Sequence, residues 1–308
     1  MLTVQSISKF DEEHPTVLTI GTFDGVHVGH RKILQRVIRS AQELNLKSTV
    51  LTFFPHPRMV LQKDAEIKLL NTIDEKSQIL KHLGLEYLII HPFTKDFSRL
   101  TATEFVRDNL VNTLKMKKII IGYDHRFGRN RNANIADLRA FGSTFDFEVE
   151  EITAQEVDDV SVSSTKIRKA LGEGAIEIAN KYLGYDYMLT GKVIKGKGLG
   201  KQLGFPTANI HIKERYKLIP KNGVYVVRSK IGSSTVHGMM NIGFNPTVEG
   251  TEQSIEVHFF DFDQDLYEKE IQINIMHRLR DEVKFDSIDA LKNQLLNDKK
   301  TSFDLILR

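Results

Sequence analysis

Two histidines three residues apart are the first residues of this sequence that could do chemistry. His27 and His30 follow residues 21–25 (Gly-Thr-Phe-Asp-Gly), between an apolar run typical of a buried strand and the start of a helical pattern. A helix N-terminus presents unpaired N–H groups and a partial positive charge, so it attracts phosphate. Two imidazoles there can donate hydrogen bonds to the same phosphate oxygens. The alternative is that both histidines only finish a surface turn, but the flanking strand and helix favour a phosphate site.

A second segment with phosphate-binding character is 163–168, with the sequence Ser-Ser-Thr-Lys-Ile-Arg. Its hydroxyls stand where a helix N-cap is predicted, and a basic residue follows in the first helical turn. Helix capping alone is the alternative explanation, since Ser and Thr are common caps. However, Arg168 lies at the end of the helix where the dipole disfavours a cation, whereas the same position suits a bound phosphate.

A glycine-rich stretch in the second half, 196–204, runs into the sequence Pro-Thr-Ala-Asn at 206–209. Thr207 and Asn209 are two residues apart, so in a strand they face the same way and can offer neutral oxygens to one ligand. Mg²⁺ prefers oxygen donors and keeps several waters and phosphate oxygens. Spacing alone leaves open a simple turn that enters a strand, and the stretch lacks the G-x-x-x-x-G-K-[ST] pattern of a Walker loop.

Further along, an alternating stretch around 255–259 predicts a strand with one apolar face. Ile255, Val257 and Phe259 share that face, which leaves Glu256 and His258 on the other. A solvated outer face is the ordinary explanation for such a polar pair. A carboxylate there could also accept a proton from a reacting hydroxyl.

The elements of the first half must position the two histidines. Short apolar runs followed by Gly, His or Pro alternate with helical patterns, and the predicted strands are 16–20, 48–54, 86–90 and 118–121. The clearest helix has one apolar face, made of Ile33, Leu34, Val37, Ile38, Ala41 and Leu44. Such alternation predicts a Rossmann-like α/β domain with a parallel sheet. Ligands of these sheets bind beyond the carboxyl ends of the strands, so the loops 21–30, 54–58 and 122–131 are expected to surround one crevice.

The pattern changes near Gly184. From Tyr185 onward, alternating stretches such as 223–227 and 255–259 are separated by Gly, Asn and Pro turns. Only the last 25 residues look helical again, with Ile288, Leu291 and Leu295 on one face. The second half is therefore predicted to be a small antiparallel β-barrel closed by a C-terminal helix.

The overall amino-acid composition argues against several classes of protein. The 308 residues are 41% hydrophobic and 27% charged, so a packed core is expected. The N-terminus does not have the pattern of a secretory signal, and no 18 apolar residues run together, which argues against a membrane span. There are no cysteines, so disulfides and thiolate chemistry are excluded, in keeping with a cytoplasmic protein. The net charge of +3 does not by itself imply nucleic acid.

With these motifs together, the sequence resembles the bifunctional riboflavin kinase/FAD synthetase family of bacteria over nearly its whole length. The resemblance implies that His27 and His30 are the catalytic pair of an N-terminal nucleotidyltransferase domain, where they bind ATP phosphates. The other ATP-binding residues implied there are Gly21, Phe23, Asp24, Gly29, Ser164, Thr165 and Arg168. The flavin-binding residues implied in the same domain are Pro55, His56, Pro57 and Asp124.

For the barrel, the resemblance implies a riboflavin kinase domain. Its glycine-rich loop covers ATP, and the implied ATP-binding residues are Gly196, Gly198, Gly200, Gly204, Pro206, Thr207 and Asn209. Thr207 and Asn209 would also hold Mg²⁺. Glu256 is the implied catalytic base, and Arg280 is implied to lie near the flavin phosphate.

The sequence departs from the family pattern at four places. His125 stands where an aromatic carbocycle is usual, and Ala133 where a glycine is usual. Tyr267 is followed by Glu268 instead of glycine, and Asn245 replaces a frequent basic residue. Neither of the last two changes removes an implied metal ligand or base.

The expected protein is therefore a bifunctional enzyme. A domain spanning 184–308 would phosphorylate riboflavin with Mg-ATP to give FMN, and a domain spanning 1–183 would adenylate FMN to FAD. One alternative keeps the adenylyl transfer but makes the barrel a weak or inactive kinase. A second is a nucleic-acid-binding protein that uses Lys192, Lys195, Lys197 and Lys201, although these lysines have no interleaved aromatic residues for base stacking. No nucleic acid and no membrane are expected as partners, and the oligomeric state stays open.

Overall fold

The structure of the protein, a computed structural model, describes residues 1–11, 13–62, 66–123, 125–153, 162–196, 198–247 and 250–307. For 199, 245–247 and 250–252 it describes the backbone alone. Packing divides the chain into two compact units, Met1–Ser163 and Ser164–Arg308. The first contains a six-stranded sheet and the second a closed barrel, which confirms the predicted fold class. The functional boundary after residue 183 stays a prediction, because it concerns the division of activities and not of packing.

The sheet of the first unit is parallel throughout its described pairs, in the spatial order β1-β4-β3-β2-β5-β6. Its strands are β1 (Leu2–Val4), β2 (Thr16–Ile20), β3 (Lys47–Phe53), β4 (Tyr87–His91), β5 (Met116–Gly122) and β6 (Glu148–Ile152). Parallel pairing brings the carboxyl ends of neighbouring strands to one edge, so the loops after β2, β3 and β5 emerge at that edge.

Four of these strands match the predicted ones, with ends shifted by up to two residues. The sequence missed β1 and β6, the two edge strands. β1 has only three residues, two of them exposed, and β6 has three glutamates among its five residues. A strand at a sheet edge needs fewer apolar side chains than a central one, so its sequence signal is weak.

Helices pack on both faces of the sheet. They are α1 (Val28–Leu44), α2 (Pro57–Leu61), α3 (Ile73–His82), α4 (Ala102–Glu104), which continues into the π-helical Phe105–Thr113, and α5 (Ile135–Phe145). Short 3₁₀ turns lie at Ile7–Lys9, Phe97–Arg99 and Arg129–Arg131.

The apolar face predicted for α1 is observed for Leu34, Val37 and Ala41, which are fully buried. The prediction was wrong for Leu44, which is 46% exposed. The helix ends there because Asn45 adopts a left-handed conformation with φ of 52°. Leu44 therefore lies beyond the part of the helix that covers the sheet.

The barrel of the second unit closes in the order β10-β11-β8-β7-β12-β9, with antiparallel pairing. Its strands are β7 (Tyr187–Ile194), β8 (Ala208–His211), β9 (Gly223–Ile231), β10 (Ser234–Thr247), β11 (Gly250–Phe259) and β12 (Glu270–Arg280). Alternate residues such as Tyr225, Val227, Met240 and Val257 are fully buried.

The described residues of this unit contain four helices: α6 (Ser164–Glu173), α7 (Ile176–Leu183), α8 (Leu199–Gln202) and α9 (Ile288–Ile306). The predicted C-terminal helix is α9, and it packs Leu295 and Ile306 against Phe205, Met239 and Phe260. The predicted helix face is wrong at Ile288, which is 69% exposed because it is the first residue of α9, ahead of the turns that meet the barrel.

Among the described residues, no helix is both long enough and apolar enough to cross a membrane.

Candidate functional sites

The loop that follows β2 turns sharply into the N-terminus of α1. Phe23, Gly25 and Val26 have positive φ angles of 44°, 88° and 37°. Glycine adopts such angles readily, whereas Phe and Val are held there only by their surroundings. A Cβ on Gly21 would lie 3.0 Å from the Phe23 ring, so the glycine allows that ring to fold back over the strand end. The constrained backbone of this loop therefore fixes the positions of His27 and His30.

His27 caps helix α1. Its Nδ1 accepts a hydrogen bond from the backbone N–H of His30 at 3.3 Å, so in the neutral ring the proton is on Nε2. The two imidazole rings stack with centroids 3.6 Å apart, and the ring of Phe23 packs edge-on against His30 at 5.2 Å. The structure thus brings both predicted histidines together at a helix N-terminus.

Both imidazoles are neutral at pH 7. Burial lowers the pKa of His27 to about 4. Burial lowers the pKa of His30 as well, and the neighbouring His27 and Lys76 lower it further. A phosphate here would therefore be held by N–H donors and the helix dipole, without imidazolium charge.

One cation behind this loop was missed by the sequence analysis. Lys76 on α3 is 4% exposed, and its Nζ donates to the carbonyl oxygen of Thr22 at 2.7 Å. Asp24, itself 3% exposed, accepts a hydrogen bond from the backbone N–H of Leu70 at 2.9 Å. No motif of the sequence contains Lys76, and only the fold brings it to the loop.

The proline-histidine loop after β3 carries three of the predicted flavin-binding residues. Pro55 is exposed, while His56 and Pro57 are half-buried. The Nδ1 of His56 accepts the backbone N–H of Arg58 at 3.2 Å and caps α2. The loop lies at the same sheet edge as His27, because β2 and β3 are parallel neighbours.

An aromatic cluster lies beside this loop, at the carboxyl ends of β3 and β4. Phe53 contacts Phe93 and Phe97, each at 5.6 Å between ring centroids, and His91 contacts Phe97 at 4.4 Å. Phe97 in turn meets Phe105 edge-on at 5.8 Å. Sequence analysis missed this cluster, since its members are spread over more than 50 residues and meet only in the folded sheet.

The loop after β5 contains the two departures from the flavin-site pattern. His125 stacks on Phe127, with a centroid distance of 6.1 Å and an interplanar angle of 22°, so the imidazole fills an aromatic position. Ala133 exchanges two backbone hydrogen bonds with Phe127 and is 7% exposed; its methyl group packs in the core. Asp124, predicted to bind flavin, lies outside the described residues.

Helix α6 begins at Ser164. Thr165 is exposed, and Ser164 and Arg168 are half-buried. Ser164 and Arg168 are four residues apart, so they share one face of the helix. This segment belongs to the second compact unit, and its phosphate-binding role stays a prediction.

The second site is on the barrel, where the glycine-rich loop joins β7 to β8. Gly198 and Gly204 have positive φ angles of 72° and 82°. A Cβ on Gly196 would overlap the side-chain amide of Asn209, and one on Gly200 would overlap the carbonyl oxygen of Phe205. Each of these glycines thus has a conformational or packing reason, and the loop closes tightly over the start of β8.

Three oxygen-bearing side chains meet beneath this loop. The hydroxyl of Thr207 donates to Glu256 Oε2 at 3.3 Å, and Asn209 on β8 is the direct pairing partner of Glu256 on β11. The structure therefore brings Thr207, Asn209 and Glu256 together. Among the described residues, no group of three or more His, Cys, Asp or Glu could hold a metal ion, so a metal here would rely on neutral oxygens and phosphate as well as on one carboxylate.

His258 does not face solvent, as a polar outer strand position suggested. It is 8% exposed, and its Nδ1 lies 2.8 Å from the carbonyl oxygen of Pro206. Phe205 and Phe260 pack edge-on against the ring, and burial lowers its pKa. The neutral His258 ring donates from Nδ1 to the Pro206 carbonyl oxygen. Strand β11 therefore makes two hydrogen bonds with the turn, one from His258 to Pro206 and one between Glu256 and Thr207.

Arg280 makes a bidentate ion pair with Asp298 of α9, with Nη2–Oδ2 at 2.7 Å and Nε–Oδ1 at 3.0 Å. Its Nη1 donates to the carbonyl oxygen of Asp281. Asp298 is 4% exposed, so Arg280 ties the C-terminal helix to the barrel. Its predicted proximity to a flavin phosphate stays a prediction.

Glu268 stands where glycine is usual in the family, and its backbone has a conformation that favours glycine. Glu268 has a φ of 64°, in the left-handed region that favours glycine, and its carboxylate pairs with Lys192. The preceding Tyr267 is exposed. Asn245 lies where the structure describes the backbone alone.

Comparison with known proteins covers both sites. The family model described as FAD synthetase matches residues 9–166, and the one described as riboflavin kinase matches residues 183–306. Curated bifunctional riboflavin kinase/FMN adenylyltransferases are 38% identical in Haemophilus influenzae and 37% identical in Listeria monocytogenes. Each alignment covers 92% of this chain, with 92% and 90% of the relatives. The chain belongs to the bifunctional riboflavin kinase/FMN adenylyltransferase family.

A solved structure shares the fold of this family member. A protein from Streptococcus pneumoniae named as a macrolide-efflux protein is 31% identical, with a TM-score of 0.89, over 98% of this chain and 99% of that one. Within the family member, the FAD synthetase match contains the histidine pair and the kinase match contains the glycine-rich loop and Glu256. The two constellations found from residue types therefore fall in the two matched regions.

Proposed function

We propose that this family member makes FAD from riboflavin in two ATP-dependent steps, one in each matched region. The observation that carries the proposal is that two separately built sites stand in one chain: the stacked His27 and His30 at a helix N-terminus, and Thr207 bonded to Glu256 beneath a glycine-rich loop. The curated relatives are named for the same two activities.

In the kinase step, the 5′-hydroxyl of riboflavin attacks the γ-phosphate of ATP. A new O–P bond forms, the bond from that phosphorus to ADP breaks, and Glu256 accepts the hydroxyl proton, giving FMN and ADP. Thr207 holds the Glu256 carboxylate in place through their hydrogen bond. The glycine loop from Gly196 to Gly204 would cover the phosphates.

Mg²⁺ fits the residues present at this site, because Thr207 and Asn209 offer neutral oxygens beside one carboxylate, a hard-oxygen set that this ion accepts when phosphate and water complete it. When bound, the ion would neutralise charge that develops on the transferred phosphoryl group. The chain itself keeps Asn209 in position through the close approach of Gly196.

In the adenylyl transfer step, a phosphate oxygen of FMN attacks the α-phosphate of ATP, and the bond to pyrophosphate breaks. The attacking phosphate is ionised near neutral pH, since its second pKa is about 6, so no general base is needed. The chain contributes positioning and hydrogen-bond donors, through the α1 N-terminus and the imidazole N–H groups of His27 and His30. Ser164, Thr165 and Arg168 are proposed to serve the same ATP, and Pro55, His56 and Pro57 the flavin.

The alternative of an inactive kinase is not favoured by the barrel site, where base, threonine and asparagine stand together. For nucleic acid binding, Lys192 is already engaged with Glu268, and Lys197 lies outside the described residues. Neither alternative gains support from the geometry.

The test uses the full-length protein with riboflavin, ATP and Mg²⁺, and separates products by chromatography. Wild type is expected to yield FMN and then FAD. Glu256→Gln is expected to reduce FMN formation by about 10²- to 10⁴-fold while conversion of supplied FMN to FAD continues. His30→Ala is expected to show the opposite pattern. If neither product forms with wild type, the proposed function is wrong.

A further inference from the structure

Lys76 is a buried cation outside the histidine motif. It lies on α3, in the turn that follows the capping box of Thr72 and Glu75, and it is 4% exposed. Burying an ammonium group is costly unless nearby groups compensate. Here the carbonyl oxygen of Thr22 accepts a hydrogen bond at 2.7 Å. Burial lowers the pKa of Lys76, and the charge of Asp24 opposes that effect by favouring the protonated amine. The amine is thus held in a prepared position.

The group that Lys76 holds is the phosphate loop itself. Thr22 precedes Phe23, which has a positive φ of 44°, and Asp24 on the other side of Phe23 is bonded to the backbone N–H of Leu70. The segment from Leu70 to Lys76 therefore makes hydrogen bonds with the loop at Thr22 and at Asp24, one on each side of Phe23. Without the Lys76 contact, the carbonyl of Thr22 loses a charged donor, and the loop loses one of these two restraints.

The charge of Lys76 also acts on His30. It is one of the groups that lower the pKa of that imidazole, after burial and His27. The Nδ1 of His30 is buried and has no hydrogen-bond partner among the residues that the structure describes. A second proton on the ring would place an unsatisfied N–H at that point. The surroundings therefore keep His30 neutral, with Nε2–H as its donor.

We infer that Lys76 is a positioning residue for adenylyl transfer: it fixes the Thr22 carbonyl and keeps His30 in the neutral form that donates to ATP phosphate. This inference rests on the proposed function of the first site. It gives a residue outside both sequence motifs a defined task in the FMN adenylyltransferase reaction.

The test compares Lys76→Met, Lys76→Arg and the control Lys81→Met in the full-length protein. Lys81 lies on the same helix but is exposed. Lys76→Met is expected to lower kcat/KM for ATP in FAD synthesis by about 10- to 100-fold, as expected of a misplaced phosphate loop. It should also move the acidic limb of the pH–rate profile to higher pH, because the pKa of His30 rises when the neighbouring charge is removed. Protonation of the FMN phosphate affects the pH–rate profile of every variant equally, so only the differences between the profiles are informative.

Lys76→Arg keeps the charge and is expected to retain the wild-type acidic limb even if its rate falls. Lys81→Met should match wild type in both readouts. FMN formation from riboflavin shows that each variant keeps the barrel site intact, and hydrogen exchange of the α1 and α3 backbone amides serves as the folding control for the first unit.

A purely structural role for Lys76 would lower the rate without moving the acidic limb, and that result would overturn the inference. So would a Lys76→Met rate within twofold of wild type. If Lys76→Met fails to fold, Lys76→Gln, which keeps an N–H donor without the charge, decides by the same two measurements. Absence of FAD synthesis in wild type would instead refute the proposed function, so the two failures are distinguishable.

Discussion

The imidazole rings of His27 and His30 stack at the N-terminus of α1, with centroids 3.6 Å apart and ring planes 17° apart. The arrangement requires an unprotonated Nδ1 on His27, because that atom accepts the backbone N–H of His30. Protonation of His27 would break the helix cap and place a charged ring against the buried, neutral ring of His30. The stack therefore links the stability of the first unit to pH.

We expect acid to destabilise the first unit between pH 6.5 and 4. An unfolded histidine takes up its proton near pH 6.5, whereas burial holds the folded pKa of His27 at about 4. Neutral His27 therefore makes its full contribution to the free energy of unfolding of the first unit above pH 6.5. As the pH falls towards 4, that contribution is lost, and the free energy of unfolding decreases by about 3 kcal/mol. Hydrogen exchange of the α1 backbone amides against pH measures this loss.

The matched variant for this prediction is His27→Asn. Asparagine is a good N-cap and has no titrating group, so its α1 amides should lose less protection over the same pH range. Equal pH dependence in wild type and variant would contradict the assignment to His27.

Gly196→Ala is expected to impair the kinase alone. The added methyl group would overlap the Asn209 amide, so that side chain must leave its place beside Glu256, and FMN formation should fall by about tenfold or more. Gly172→Ala is the control, because no described atom lies within 4 Å of its Cβ position apart from the adjacent residues and backbone of its own helix. Steady-state rates of FMN formation test both, and conversion of FMN to FAD should persist in each. A normal kinase rate in Gly196→Ala would show that Asn209 is dispensable.

His258 is expected to act through the Pro206 carbonyl. His258→Asn can keep an N–H donor near the position of Nδ1, whereas His258→Leu removes the donor and weakens the turn that carries Thr207. FMN formation should therefore fall by about tenfold in the leucine variant and less in the asparagine variant. Comparison of kcat and KM for riboflavin and ATP checks this order. Equal losses in both variants would point to packing of the ring as its main contribution.

Asp298→Ala is expected to destabilise the barrel by about 3 kcal/mol, because it leaves the Arg280 guanidinium without its bidentate partner. Asp304→Asn, an exposed change on the same helix, should stay within about 0.5 kcal/mol of wild type. Urea unfolding followed by circular dichroism measures both.

The proposed flavin-phosphate role of Arg280 can be separated from this structural role. If Arg280 binds that phosphate, Arg280→Met should weaken FMN binding to the barrel more than Asp298→Ala does, at equal folded fraction. Equal FMN affinities in the two variants would show that Arg280 serves only the ion pair with Asp298.

The sequence by itself determined the fold class and pointed to both proposed phosphate-site motifs. Central strands such as β2 and β3 are buried on both faces, so they are rich in branched and apolar residues and easy to recognise. The histidine pair and the Pro-Thr-Ala-Asn segment are local, with partners two or three residues apart, and local spacing survives any tertiary arrangement.

Only the tertiary structure decided which distant groups serve these motifs. Lys76 reaches Thr22 from 54 residues away, and His258 reaches Pro206 from 52; no periodicity encodes such contacts. Arg280, which the resemblance places near a flavin phosphate, likewise pairs with Asp298 in the fold. The physical reason is that a charged or polar side chain has many chemically equivalent partners along the chain, and only folding selects the one whose burial makes the contact strong.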